Sequence, residues 1–387
     1  MIEVQEALAL IDRFAAESPE VSAEVDAGLN GAILAQNIFA PINLPEFRQS
    51  SMDGYALCGA APEGHELIGE IPAGSPNTYN LKPGQAVRIF TGAAVPDSAD
   101  RVVMQEHIAI KNDRVTLIKD PISGANIRAI GSQIKQGQLV IDKGTKVTPA
   151  IIGMLLSLGL TQAAVRKPPR VCVLVTGDEL AQPGVQKSPG QVYESNGSVL
   201  EAVVKEDGAQ FVETIAVKDD FQASVQAIKQ AVSKADLVLI SGGISVGDYD
   251  FIAMALTQLG AEKHFHGVRQ KPGKPLYFGT LEGSAIFALP GNPASTLSCY
   301  CVYVRRWLQN YLGTNPATVT MPLGADLVNR FGRALFIKAN FDQGQAMPID
   351  EFNSATLLSF SKADILIFMG AEVTELKAGE MVETYKI

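Results

Sequence analysis

The chain has 387 residues, enough for two to four domains at about 150 residues each. Apolar residues make up 47% and charged residues 19%, globular proportions that exclude a disordered chain. The 41 acids and 32 bases leave a net charge of −9, which counts against general nucleic-acid or membrane-surface binding but leaves room for a local basic cluster around an anion.

The first twenty residues hold Glu3, Glu6, Asp12, Glu17 and Glu20, which is unlike a signal peptide. The longest apolar stretch, 150–160, falls short of the ~20 residues a bilayer needs. Cys58, Cys172, Cys299 and Cys301 form no C-x-x-C, and the four histidines form no paired-ligand spacing, so neither a disulfide scaffold nor a Cys/His zinc site is expected. The simplest reading is a cytoplasmic protein.

Val4, Leu8, Ile11 and Phe14 give residues 2–14 one apolar helical face. From about 42 to 148, short runs such as AVRIF, RVVMQEHIAI and RVTLI between Gly, Pro, Asn and Asp clusters predict a mostly β segment. Thr148-Pro149 starts a helix over 149–159 whose Ile151, Ile152, Leu155, Leu156 and Leu158 make it nearly apolar, hence buried or paired with another helix. After Lys167-Pro168-Pro169, the strand VCVLV is followed by a helix (196–207), FVETIAV, a helix (221–234), DLVLI, a helix (250–259), a short strand (264–267), LYFGT, AIFAL and a helix (294–311). Uninterrupted apolar strands alternating with helices predict a parallel sheet covered on both faces. Residues 313–322 read as a linker and 323–387 as a small β-rich tail.

Ligands of such sheets bind beyond the carboxyl ends of the strands. There VCVLV runs into Thr176-Gly177-Asp178-Glu179, DLVLI into Ser241-Gly242-Gly243-Ile244-Ser245 and on to Asp248 and Asp250, and AIFAL into Pro290-Gly291-Asn292-Pro293. Lys271-Pro272-Gly273-Lys274-Pro275 precedes LYFGT. Gly242 and Gly243 admit backbone N–H groups to an oxyanion, a helix start at 293–295 adds a positive dipole end, and Lys271 and Lys274 neutralise phosphate. Carboxylates beside phosphate most often hold Mg²⁺. Each turn alone is ordinary turn or cap chemistry; their convergence points to a phosphorylated or nucleotide ligand with Mg²⁺. By the same reasoning the Asp53-Gly54 and Thr91-Gly92 turns, taken alone, are plain turns. His264 and His266 read as structural strand residues, and Cys299 and Cys301 as core packing.

SSMDGYA, TGAAVP with ADRVVMQE, GANIRAIG, TGDEL, SGGISVGDYDF, KPGKP and LPGNP occur in one order along the whole chain. This series resembles the molybdopterin molybdenumtransferase family, the MoeA proteins and the gephyrin E-domain. The resemblance implies a multi-domain α/β plus β architecture: an elongated linker and dimerisation domain (1–41 and 137–166), an inserted β domain (42–136), a doubly wound MogA/MoaB-like α/β domain (167–312) and a C-terminal β-barrel (318–387). It also implies a homodimer whose site lies between the α/β domain of one subunit and the β and tail domains of the other. The implied reaction inserts molybdate into adenylylated molybdopterin with Mg²⁺-dependent release of AMP, with a molybdopterin adenylyltransferase as a partner. The dithiolene sulfurs belong to the substrate.

On matching positions, Asp53, Thr91, Glu179 and Asp250 take catalytic roles, Glu179 and Asp250 also as metal ligands. Arg128, Thr176, Gly177, Asp178, Asp219, Ser241, Gly242, Gly243, Ser245, Lys271, Lys274, Pro290, Gly291, Asn292 and Pro293 take substrate-binding roles. The chain departs from the family pattern at Arg48 and Gln49, where Asp-Asn is usual, and at Ser132 and Gln133, where Glu-Asp is usual; Ser354-Ala355 and Ala363-Asp364-Ile365 depart in the tail. Those lost acids define the alternative: a non-catalytic molybdopterin-binding or scaffold paralogue.

Overall fold

A computed structural model describes residues 1–119, 122–244, 251–314, 318–349 and 357–387. Its central sheet has six strands: β1 (Arg170–Thr176), β2 (Gln210–Val217), β3 (Leu237–Ser241), β4 (Glu262–His266), β5 (Tyr277–Leu281) and β6 (Ser284–Leu289), in the order β2-β1-β3-β6-β5-β4. The first four in that order run parallel, and β5 and β4 are antiparallel to their neighbours.

Alternate side chains of β1 and β3 enter opposite cores, as a doubly covered sheet requires. Val171, Val173, Leu237 and Leu239 pack with the helix Asn196–Glu206 and the long helical run from Pro293 to Leu312. Cys172, Leu174, Val238 and Ile240 pack with Phe221–Lys234 and Phe251–Gln258. The run from Pro293 to Leu312 passes through one π-helical stretch, Tyr300–Val304, and ends on Gly313 in the left-handed conformation.

Residues 54–117 form a separate six-stranded sheet, in the order Arg101–Met104, Gly54–Leu57, Gln85–Ile89, His65–Ile71, Arg114–Leu117 and Ile108–Lys111. On either side of it the chain returns to itself: Ile38–Phe39 pairs with Leu139–Ile141, and Glu20–Glu24 with Gln162–Arg166. In the tail, Gln345–Pro348, Ala334–Asp342, Ile365–Met369, Met381–Lys386 and Thr318–Pro322 pair in sequence, and a Leu323–Ala346 bridge links the two ends of this path into a barrel-like ring. The architecture is multi-domain α/β plus β.

Three expectations need correction. The apolar helix, Pro149–Ser157, is not buried: of its residues only Leu155 is, and Leu156 is 49% exposed. Its inner face packs in a cluster with Val25, Leu29, Leu34, Ile141, Val147, Ala163 and Val165. The linker read over 313–322 already contains the strand Thr318–Pro322, because alternating Thr-Val-Thr-Met suits a strand despite the neighbouring prolines. The short strand placed at 264–267 begins earlier, at Glu262. His264 is structural, as expected: its ring stacks on Phe14 at 3.7 Å and lies against Phe278, and its Nε2 is 3.2 Å from Thr280 Oγ1. All four cysteines are free thiols, three of them buried.

Candidate active site

A cleft of about 520 Å³ opens where β1, β3 and β6 end. Thr176, Gly177 and Glu179 line it from the end of β1, Ser241, Gly242 and Gly243 from β3, and Pro290, Gly291 and Pro293 from β6. Asp219, from the turn after β2, completes the wall. The KPGKP segment reaches the same edge for a topological reason. Because β5 is antiparallel, its start at Tyr277 pairs with Ala288 near the carboxyl end of β6, and Pro275 lines the cleft.

Thr176 is only 6% exposed, and its Oγ1 has no hydrogen-bond partner among the described residues, which fits a hydroxyl meant for a ligand. Desolvation by burial raises the carboxyl pKa of Asp219 above the usual range; a backbone hydrogen bond with Asp178 opposes this, and the charges of Asp178 and Glu179 add to it. The Asp219 amide in turn donates to Asp178 Oδ1 at 3.4 Å.

Sequence reasoning missed Tyr193, Glu194 and Asn196. Asn196 Nδ2 donates to Ser241 Oγ and to the Gly291 carbonyl, both at 2.8 Å, and so ties the loops after β3 and β6 to the start of the helix Asn196–Glu206. Glu194 is buried and accepts from the Gly197 amide at 2.8 Å. A signal was available, since a helix returning from a parallel strand starts at that strand's carboxyl edge.

Several expected residues serve other partners. Asn292 Oδ1 accepts from the Ala294 and Ser295 amides (3.1 and 3.4 Å), so the helix start that was expected to hold an anion is capped by its own chain. The Gly242 amide donates to Leu289 O at 3.2 Å. Lys271 and Lys274 do not line the cleft: Lys271 Nζ lies 3.6 Å from the centroid of the Phe331 ring, and Lys274 is exposed. The described lining therefore carries Glu179, Glu194 and Asp219 and no lysine or arginine. Ser245, Asp248 and Asp250 lie outside the described residues.

The residues expected in the inserted sheet gather elsewhere, and none of them lines the cleft. Asp53 Oδ1 accepts from Thr91 N at 2.7 Å and Thr91 Oγ1 at 2.8 Å, and these bonds, the backbone one first, hold its carboxyl below the usual range, helped by the charge of Arg88. Arg128 reaches Gln49 Oε1 at 3.5 Å, and Gln49 Nε2 donates to Gly92 O at 3.3 Å. Arg48, at a position where the family pattern has an acid, binds three carbonyls instead: Pro96 and Ala99 at 2.8 Å and Asp97 at 3.0 Å. Ser132 and Gln133 are exposed, and the Gln133 amide donates to Leu44 O at 3.0 Å.

Among the described residues no cluster of three His, Cys, Asp or Glu is placed to hold a metal. The carboxylates that a cation would meet in the described lining are Glu179, Glu194 and Asp219. An acidic cleft also requires a counter-cation before it admits a phosphorylated ligand.

Three family models match the chain in order: MoeA N-terminal region (domain I and II) over residues 2–159, probable molybdopterin binding domain over 172–310, and MoeA C-terminal region (domain IV) over 320–387. A molybdopterin molybdenumtransferase of Staphylococcus epidermidis is 31% identical over 397 aligned positions, covering 99% of this chain and 94% of that protein. A molybdopterin molybdenumtransferase of Nostoc is 38% identical over 287 residues, 71% of this chain and 66% of that protein. A crystal structure of a molybdopterin biosynthesis MoeA protein from Pyrococcus horikoshii superposes with a TM-score of 0.84 at 29% identity, covering 100% of this chain and 99% of that one. With family models matched along the whole chain, a relative 31% identical over nearly all of it, and a cleft built from the TGDEL, SGG and PGNP turns, the chain belongs to the molybdopterin molybdenumtransferase (MoeA) family.

Proposed function

We propose that this protein acts in molybdenum cofactor biosynthesis by inserting molybdate into adenylylated molybdopterin, with Mg²⁺-dependent release of AMP. The observation that carries the reading is the cleft over β1, β3 and β6, with the unpartnered Thr176 hydroxyl in its wall. Thr176, Ser241 and the glycine-rich turns bind the pyrophosphate and pterin. Glu179, together with Asp250, holds Mg²⁺, which offsets the charge of the anhydride. Lys271 and Lys274, beside the cleft, draw the tetrahedral oxyanion, and Asp219 orients the nucleotide.

The Asp53–Thr91 pair and Arg128 take part from a second subunit. Within one chain they stand apart from the cleft, so a homodimer that brings a partner's inserted sheet to it completes the site. The exposed apolar side chains Val21, Phe39, Leu139 and Leu156 on the linker segments suit such a dimer. The four-domain division at 1–41 with 137–166, 42–136, 167–312 and 318–387 follows the same reading. No helix among the described residues is long and apolar enough to cross a membrane. We place the protein in the cytoplasm, supplied by a molybdopterin adenylyltransferase. The intact Asp53–Thr91 pair favours an enzyme over a scaffold, because Arg48 and Gln49 have structural partners of their own.

The test is incubation of purified protein with adenylylated molybdopterin, Mg²⁺ and molybdate. AMP should appear only when all three are present; AMP no faster than without protein refutes the enzymatic reading.

A further inference from the structure

The KPGKP segment is clamped from beneath by polar side chains that the reaction itself does not use. Gln270 is 1% exposed and Tyr303 0% exposed. The Tyr303 hydroxyl donates to Gln270 Oε1, and Gln270 Nε2 donates to the Gly273 carbonyl at 3.1 Å. The Cys299 thiol faces the same carbonyl at 3.7 Å. Gly273 has φ +84°, and a Cβ there would run into Cys299 Sγ, so the backbone is seated directly on the helix. Tyr303 belongs to the π-helical stretch Tyr300–Val304, an irregularity that changes the register of side chains along an otherwise α-helical run.

The clamp sits at the middle of the segment. On one side of Gly273, Gln270 and Lys271 pair in parallel with Ala334 and Leu335 of the tail, and Lys271 stacks on Phe331. On the other side, the Lys274 carbonyl accepts from Val268 N at 3.0 Å, and Pro275 lines the cleft. Fully buried polar groups require each other's hydrogen bonds, so this network admits one arrangement of the loop.

We infer that Gln270, held by Tyr303, is a positioning residue that fixes the loop carrying Lys271 and Lys274 beside the cleft for oxyanion capture. The inference rests on the proposed function and deepens it. Tyr303→Phe removes one hydroxyl at constant shape, and Gln270→Met removes both amide bonds at similar length.

Two readouts decide it. In hydrogen exchange of the full-length protein, the Val268 amide, which reports the tether to Lys274, should exchange at least about tenfold faster in both variants. In AMP-release kinetics, the KM for molybdate should rise about tenfold while the KM for adenylylated molybdopterin stays within twofold. In a Lys271→Ala/Lys274→Ala background, Tyr303→Phe should add no further rise, because it acts through those lysines. Unchanged Val268 exchange, parallel changes in both KM values, or full additivity with the lysine variants would each overturn the inference. Lack of AMP release by the parent chain refutes only the enzymatic reading; amide exchange then still decides whether the clamp positions the loop.

Discussion

Replacing Gly242 by alanine tests whether the β3 turn is built as a close approach of backbone to backbone. Gly242 has φ +90°, a conformation that costs an L-residue about 1–2 kcal/mol. An alanine Cβ would sit 2.6 Å from the Thr176 carbonyl oxygen, well inside contact distance. That oxygen belongs to the last residue of β1, which is held in the sheet by pairing to Val217, so it cannot yield as a flexible side chain would. Overpacking of this kind costs about 1–3 kcal/mol, which brings the expected loss to about 2–5 kcal/mol. Gly291, on the adjacent turn, is the control: its φ is not left-handed, and its nearest neighbour would be Gly242 Cα at 3.5 Å. Gly291→Ala should therefore stay within about 0.5 kcal/mol of the parent. In thermal unfolding the transition of the α/β unit should fall by at least about 4 °C for Gly242→Ala and barely move for Gly291→Ala. Equal stability of the two variants would refute the reasoning.

Arg48→Ala should destabilise the inserted sheet by about 2–4 kcal/mol in urea unfolding, since three carbonyls lose a charged donor, and Arg48→Asp should raise no activity. Asn196→Ala should weaken binding of adenylylated molybdopterin about tenfold in a fluorescence titration, because the loops after β3 and β6 lose their common tie. Asp219→Asn has a defined pH signature. Burial raises the folded-state pKa of Asp219, so the folded chain disfavours its carboxylate and loses stability as pH rises through the window above the unfolded value of about 3.9. The variant should melt higher than the parent at pH 7, and the gap should close as the pH falls to about 4; a gap that is constant with pH would contradict the shift.

The α/β unit was legible because each of its signals is local. Apolar runs such as VCVLV can only be buried strands, and glycine turns following them must lie at one sheet edge. Residues 191–195 carried no predicted element, and the helix predicted from 196 was not traced back to the sheet edge at which it starts, so Tyr193, Glu194 and Asn196 were not placed in the cleft. The lysines were assigned by charge and by the KPGKP motif, yet Lys271 turns to Phe331, a partner 60 residues away in another domain that no local pattern discloses. Arg48 presented itself as a lost acid. Only its three carbonyl partners identify it as a brace. The apolar helix Pro149–Ser157 misled for a further reason: composition records that a surface wants covering, and not whether the same chain covers it.

The most direct test mixes two inactive forms. Asp53→Asn damages the cluster in the inserted sheet, and Glu179→Gln the cleft, so each homodimer should release no AMP. If the site joins the two clusters across a dimer, random co-assembly makes half the dimers mixed, each with one intact site, and about one quarter of the parental rate should return. Co-expressed variants that stay inactive, although mixed dimers are present, would contradict a catalytic centre shared between subunits.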